Sequence, residues 1–196
     1  DCYFIDVRVE NCSSAAFAAN KSPTNYFLRC LARSSGSGLA PNQSMMIWRN
    51  GVIWGNMKPV DLQNGGSAAL YNSVLRAVGA SARIYSLSTS AGNIVGNHNL
   101  YVREGDALFF ERASISGGNE LYTRLSDWQF ASGQDLQSTA LDPLFANATL
   151  GDFHPRSASG RFLDSGAITN DVPGLYSPLI DTGDPADTNW TNELSP

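Results

Sequence analysis

A short phrase returns along this chain and constrains its fold more than any other feature: Asn11-Cys12, Arg29-Cys30, Asn50-Gly51, Asn72-Ser73 and Asn97-His98. Their first residues are 18, 21, 22 and 25 positions apart, a loose period in the range of stacked repeats. Between them lie short runs rich in β-branched and aromatic residues, bounded by polar or Gly positions: Tyr3 to Val9, Tyr26 to Arg29, Met45 to Trp48, Val52 to Trp54, Ala69 to Tyr71 and Val74-Leu75. Such runs read as strands. A unit of about two dozen residues with two or three strands cannot bury its own apolar face, so the units must stack. Stacking in register gives parallel sheets and places like residues over one another. Asn11, Asn50, Asn72 and Asn97 then form an amide ladder at one inward turn, unless each Asn simply serves a turn of its own. Cys12 and Cys30 take the same place in adjacent coils, either bridged or as stacked thiols.

The composition agrees with a fold made of turns. Only 16% of the 196 residues are charged, there are 18 Gly, and solubility comes from neutral Ser, Asn and Thr. The length is that of one domain. A net charge of −5 gives no basic footprint for nucleic acid. No run has the length of a transmembrane helix, and the start lacks the charged and apolar regions of a signal peptide. Three cysteines are an odd count, so one chain pairs at most two.

The segment Arg49-Asn50-Gly51-Val52-Ile53-Trp54-Gly55-Asn56 resembles the coil phrase of bacterial right-handed parallel β-helix proteins, the pectin-lyase-like group. The resemblance continues through Asn97-His98-Asn99-Leu100-Tyr101, Leu125 to Gln129, Gly133-Gln134-Asp135, Asp142 to Phe145, Asp152-Phe153-His154 and Ser177 to Pro185, and so covers roughly residues 45 to 187. It implies an all-β, right-handed parallel β-helix, a solenoid with a short helix and long loops decorating its C-terminal coils. Residues 1–113 are read as regular coils and 114–196 as the decorated part of the same domain. A short helix is expected from Thr123 to Ala131, capped by Thr123 or Ser126, with Leu125, Trp128 and Gln129 toward the solenoid and Trp128 as a packing plug. Residues 152–175 read as loop, and 176–187 as one strand and an Asp-rich turn. Because the chain opens on a strand with no cap before it, it is expected to be a piece of a longer polypeptide. Its first coil would be covered by upstream repeats, a partner or a second copy.

The matching residues shape coils and include no catalytic centre, so fold and function separate here. Lyases of this fold need a Lys or Arg base and a cation, calcium for example, to neutralise a uronate. The nearest candidates are Lys58, Arg76 and Arg49, none in a catalytic phrase, and Lys58 precedes Pro59 as a loop charge would. The hydrolases' Gly-His-Gly and Arg-x-Lys phrases are absent, and His98 and His154 are isolated. Trp48, Trp54 and Tyr71 recur about once per coil; an exposed line of them suits sugar rings, a buried one suits the core. Asp181, Asp184 and Asp187 form an oxygen-rich loop that could hold calcium or simply favour a turn. The resemblance implies an extracellular or cell-surface scaffold or adhesin-like module contacting polysaccharide, with a carbohydrate-active enzyme as the alternative. No other cofactor is expected.

Overall fold

The structure, a computed structural model, describes residues 1–162, 168–171, 174–180, 183, 184 and 186. The chain divides into two compact units, Asp1–Leu141 and Asp142–Pro196. The first is a parallel β-helix of five coils with three strands each: β1 (Cys2–Ile5), β2 (Arg8–Glu10), β3 (Ala15–Asn20); β4 (Thr24–Leu28), β5 (Leu31–Arg33), β6 (Ser37–Asn42); β7 (Met45–Arg49), β8 (Val52–Asn56), β9 (Lys58–Leu62); β10 (Ser67–Tyr71), β11 (Val74–Ala77), β12 (Arg83–Leu87); and β13 (Ile94–Asn97), β14 (Leu100–Arg103), β15 (Leu108–Arg112). The first strands of the coils make one sheet, the second strands another and the third strands a third. An antiparallel strand β16 (Glu120–Tyr122) extends the third sheet beyond β15.

Two-residue alternation fills the core. Phe27, Trp48 and Leu70 stand in one inward column of the first sheet. Ala32, Ile53, Leu75 and Tyr101 stand in one column of the second, and Leu39, Val60, Tyr85 and Phe110 in one of the third. All are buried, each large apolar side chain stabilising the coil by about 1.5–3 kcal/mol.

The corners are where the sequence reading changes. Between the first and second strands of every coil sits one left-handed residue: Asp6, Arg29, Asn50, Asn72 and His98, with φ of 56°, 52°, 52°, 52° and 53°. Asp6 therefore breaks the run Tyr3 to Val9 into β1 and β2. Asn11 belongs to the next corner, with Ser34 and Gly55, and Asn97 ends β13 one residue before the corner. The four Asn residues thus do not share a ladder, because tolerance of left-handed φ suits Asn to any corner and does not say which. Cys12 and Cys30 also fall at different corners: Cys12 accepts nothing from Cys30 but sits beside Ser35, whose Oγ accepts the Cys12 N–H at 3.2 Å, whereas Cys30 is buried beside the Phe4 carbonyl. All three thiols are free.

A ladder does exist, one residue past the first corner. The Gly51 N–H donates to Ser73 Oγ at 3.2 Å, the Ser73 N–H to Asn99 Oδ1 at 3.1 Å, and the Asn99 N–H to Ser138 Oγ at 2.9 Å. Each corner amide is captured by the side chain of the following turn of chain. Gly51 is required at its rung, since a Cβ there would lie 2.6 Å from Trp48 Nε1 and 2.7 Å from the Cys30 carbonyl oxygen.

The helix α1 (Leu125–Ser132) forms where expected, with Leu125 and Trp128 buried. Its N-cap is Arg124, which makes no side-chain cap bond, so neither Thr123 nor Ser126 caps it. Trp128 is the expected plug, stacked on Phe110 at 4.6 Å between ring centroids. The strand β16, the helix α1 and the loop to Leu141 belong to the first unit. The second unit holds an antiparallel pair of β17 (Phe145–Asn147) and β18 (Asp152–Pro155) and a pair of β19 (Arg161–Phe162) and β20 (Ile168–Thr169), so that β18, β19 and β20 fall within the passage 152–175 read as loop. Residues 178–180 form a turn instead of the expected strand. Among the described residues, no helix is long and apolar enough to cross a membrane.

Candidate functional site: a polar groove on the third sheet

The parallel register of the third sheet places Asp61, Ser86 and Glu111 in one column, paired rung to rung. Their neighbours Val60, Tyr85 and Phe110 point inward and are buried, so alternation turns this column outward. Asp61 accepts from Gln63 Nε2 at 3.1 Å and from Ser37 Oγ at 3.5 Å, and faces Lys58 Nζ at 3.4 Å. Glu111 accepts from Asn119 Nδ2 at 2.8 Å and is paired with Arg83. The result is a groove of about 340 Å³, floored by the column and walled by Lys58, Asn64 and Asn119. Two carboxylates and two cations cancel, and amide and hydroxyl groups supply both donors and acceptors. Chemically this suits a hydroxyl-rich chain lying across the rungs.

The candidate bases do not converge. Lys58 is in the groove, held by Asp61. Arg49 lies on the first sheet, its guanidinium carbon 4.6 Å from the centre of the Tyr71 ring. Arg76 lies on the second sheet, 4.6 Å over the Trp54 ring and paired with Glu104. One residue on each of three sheets makes no common site. The aromatic candidates also separate: Trp48 is fully buried against Phe17 and Phe27, while Trp54 and Tyr71 are half-buried beneath those arginines. Asp184 accepts the Ala186 N–H at 2.9 Å; Asp181 and Asp187 lie outside the described residues. Among the described residues, no three His, Cys, Asp or Glu side chains gather as metal ligands.

Sequence reasoning missed the groove, although a signal was present. Asp61, Ser86 and Glu111 are 25 residues apart, each in an alternating run, Val60-Asp61-Leu62-Gln63, Tyr85-Ser86-Leu87-Ser88 and Phe110-Glu111-Arg112. Tracking the motif by its Asn residues drew attention to the corners and away from this column.

A second polar cluster is sealed inside the last coil. Asp135, only 1% exposed, accepts on Oδ1 from Tyr101 Oη at 2.7 Å, Ser138 Oγ at 2.6 Å and Asn99 Nδ2 at 3.2 Å, and on Oδ2 from Trp128 Nε1 at 3.1 Å. Because Tyr101 gives its proton to Asp135, Tyr85, 2.5 Å away, donates to Tyr101. Burial, reinforced by the neighbouring negative charge, pushes both phenols well above their ordinary range. The carboxylate is saturated with donors and closed to solvent, so it anchors the α1 segment to the β-helix and presents nothing to a ligand. Gly96 makes room for it, since a Cβ there would lie 2.9 Å from both carboxylate oxygens.

Comparison with protein-family models, with curated proteins and with solved structures finds no match to this chain.

Proposed function

We propose that this β-helix is an extracellular or cell-surface scaffold module that holds a polysaccharide chain in the groove of its third sheet. The observation that carries the reading is the outward column Asp61, Ser86 and Glu111. Rungs about 4.8 Å apart repeat polar groups at a fixed interval, as a polymer of sugars does. Each carboxylate is already held by a cation and an amide, which favours binding over proton transfer. The resemblance to the pectin-lyase-like group and the neutral polar composition support a location outside the cell.

The alternative, a carbohydrate-active enzyme, draws on the same column. Asp61 and Glu111 are two rungs apart, so their backbones are separated by about 10 Å, close to the roughly 6.5–9.5 Å between carboxyl groups in inverting glycosidases.

Titration calorimetry against a panel of neutral and acidic oligosaccharides tests the proposal. At least one chain should bind, and Ser86→Trp, which fills the groove from its floor, should abolish that binding in a variant whose circular dichroism matches the wild type. Unchanged binding by Ser86→Trp, or no binding by the wild type, would refute the reading. Release of reducing ends that disappears in both Asp61→Asn and Glu111→Gln would favour the enzyme.

A further inference from the structure

Ala113 lines both the groove and a second hollow of about 460 Å³, which is also lined by Thr89, Arg112, Ser114, Ser116 and Glu120. Arg112 is its cationic member. Arg8, Arg29, Arg33, Arg76, Arg83 and Arg124 each meet a carboxylate. Among the described residues Arg112 forms no ion pair, and its buried Nε has no hydrogen-bond partner. It ends β15 in register with buried Leu87, so its stem is drawn inward, and its guanidinium carbon lies 5.9 Å from the centre of the Phe110 ring. The carboxylate directly across the antiparallel pair, Glu120, is engaged elsewhere: its Oε1 accepts from Tyr122 Oη at 2.8 Å. Buried donors are almost always satisfied in folded proteins, and this residue with an idle Nε borders a hollow whose lining also includes three hydroxyls.

We propose that Arg112 and the hydroxyls of Thr89, Ser114 and Ser116 bind the acidic substituent, a carboxylate or sulfate, of a polysaccharide that lies in the adjoining groove. A guanidinium edge matches the two oxygens of such a group. Serine hydroxyls, free to rotate, complete its shell. Ser114 and Ser116 are held for this by the loop's own bonds, Oγ to Oγ at 3.1 Å and the Ser116 N–H to Ser114 Oγ at 3.3 Å. Glu120 also lines the hollow and offsets part of the Arg112 charge, so a doubly charged phosphate is disfavoured more than a singly charged carboxylate or sulfate ester. The inference rests on the groove reading for the rest of the ligand, and on Arg112 alone for its acidic part.

The test compares hexamers of a neutral sugar, a uronate and a sulfated sugar, together with the singly charged methyl sulfate and acetate, on the wild type and on Arg112→Gln, Arg112→Lys and Ser116→Glu, each checked for an unchanged melting profile. The wild type should prefer one acidic hexamer over the neutral one, and which of them binds identifies the substituent. Arg112→Gln should lose roughly ten- to a hundredfold for that hexamer, Arg112→Lys should recover only part of it, and neutral binding should not change. Should Arg112→Gln not fold, Ser116→Glu on the exposed loop, which sets a like charge against the ligand, must give the same selective loss. If Ser86→Trp abolishes binding while Arg112→Gln and Ser116→Glu leave any acidic preference intact, the groove stands and this inference falls. If no hexamer binds, the groove reading falls; Arg112-dependent binding of methyl sulfate or acetate would then support the anion site, and its failure would overturn it.

Discussion

Asp135→Asn isolates what the sealed carboxylate contributes. Asp135 has a φ of 57°, a conformation Asn tolerates nearly as well as Asp, so the backbone is not strained. The amide oxygen can replace Oδ1 and still accept from Tyr101, Ser138 and Asn99. The amide nitrogen then faces Trp128 Nε1 across the 3.1 Å of the present bond, donor against donor, and one buried N–H loses its acceptor at a cost of about 1–3 kcal/mol. The three remaining bonds weaken because their acceptor is no longer charged, while relief from burying a charge offsets part of that loss. The expected net destabilisation is about 2–4 kcal/mol, a large share of the ~5–15 kcal/mol stability of an ordinary domain. Equilibrium urea unfolding followed by near-ultraviolet circular dichroism measures it. A cycle with Trp128→Phe, which removes the confronting donor, should show the double variant less damaged than the sum of the singles by about 1 kcal/mol or more. Asp135→Asn within about 0.5 kcal/mol of the wild type, or strict additivity with Trp128→Phe, would refute the anchor.

Tyr85 and Tyr101 should stay protonated in the folded protein well past the pH at which exposed tyrosines ionise. Their folded pKa values are raised from the ordinary 10.0, so the stability they contribute is full below pH 10 and falls as pH rises above it, when the unfolded chain releases the protons first. Phenolate absorbance should therefore show two of the seven tyrosines titrating only together with alkaline unfolding; a smooth titration of all seven in the folded state would contradict the buried network. Gly51→Ala, which crowds Trp48 Nε1 and the Cys30 carbonyl oxygen, should cost about 1–3 kcal/mol, and an unchanged melting temperature would show that the corner has slack that the geometry does not reveal.

The fold was legible in the sequence because its causes are local and repeated. Strand runs such as Met45 to Trp48 carry apolar alternation that only a stacked sheet buries, and the interval between phrases sets the coil. Corner assignment was not legible: Asn at 11, 50 and 72 reports left-handed backbone without reporting which of three corners it turns, Asn97 only precedes a corner, and Asp6, Arg29 and His98 do the same work with side chains that do not advertise it. The groove was half legible. Asp61, Ser86 and Glu111 recur at a constant spacing, but an outward polar residue on one strand looks like any solvated position until the neighbouring rungs are aligned. Arg112 and Asp135 were beyond sequence reasoning, because the idle Nε of the one and the four donors of the other come from segments brought together only by the cap on the last coil.

The three captures of the ladder past the first corner run one way. Ser73 serves the amide of Gly51, Asn99 that of Ser73, and Ser138 that of Asn99. A chain leaving the ribosome therefore exposes, at each of these turns, a backbone donor whose acceptor has not yet been synthesised. Every new coil closes the one made before it and leaves its own account open. Assembly is vectorial in this sense: the growing face is the unfinished face, and the last acceptor, Ser138, arrives in the segment that also brings Asp135. Cutting the chain before that segment would leave the Asn99 amide and the Tyr101 hydroxyl unserved together, so losses at the C-terminal side should travel backward, coil by coil, toward the start.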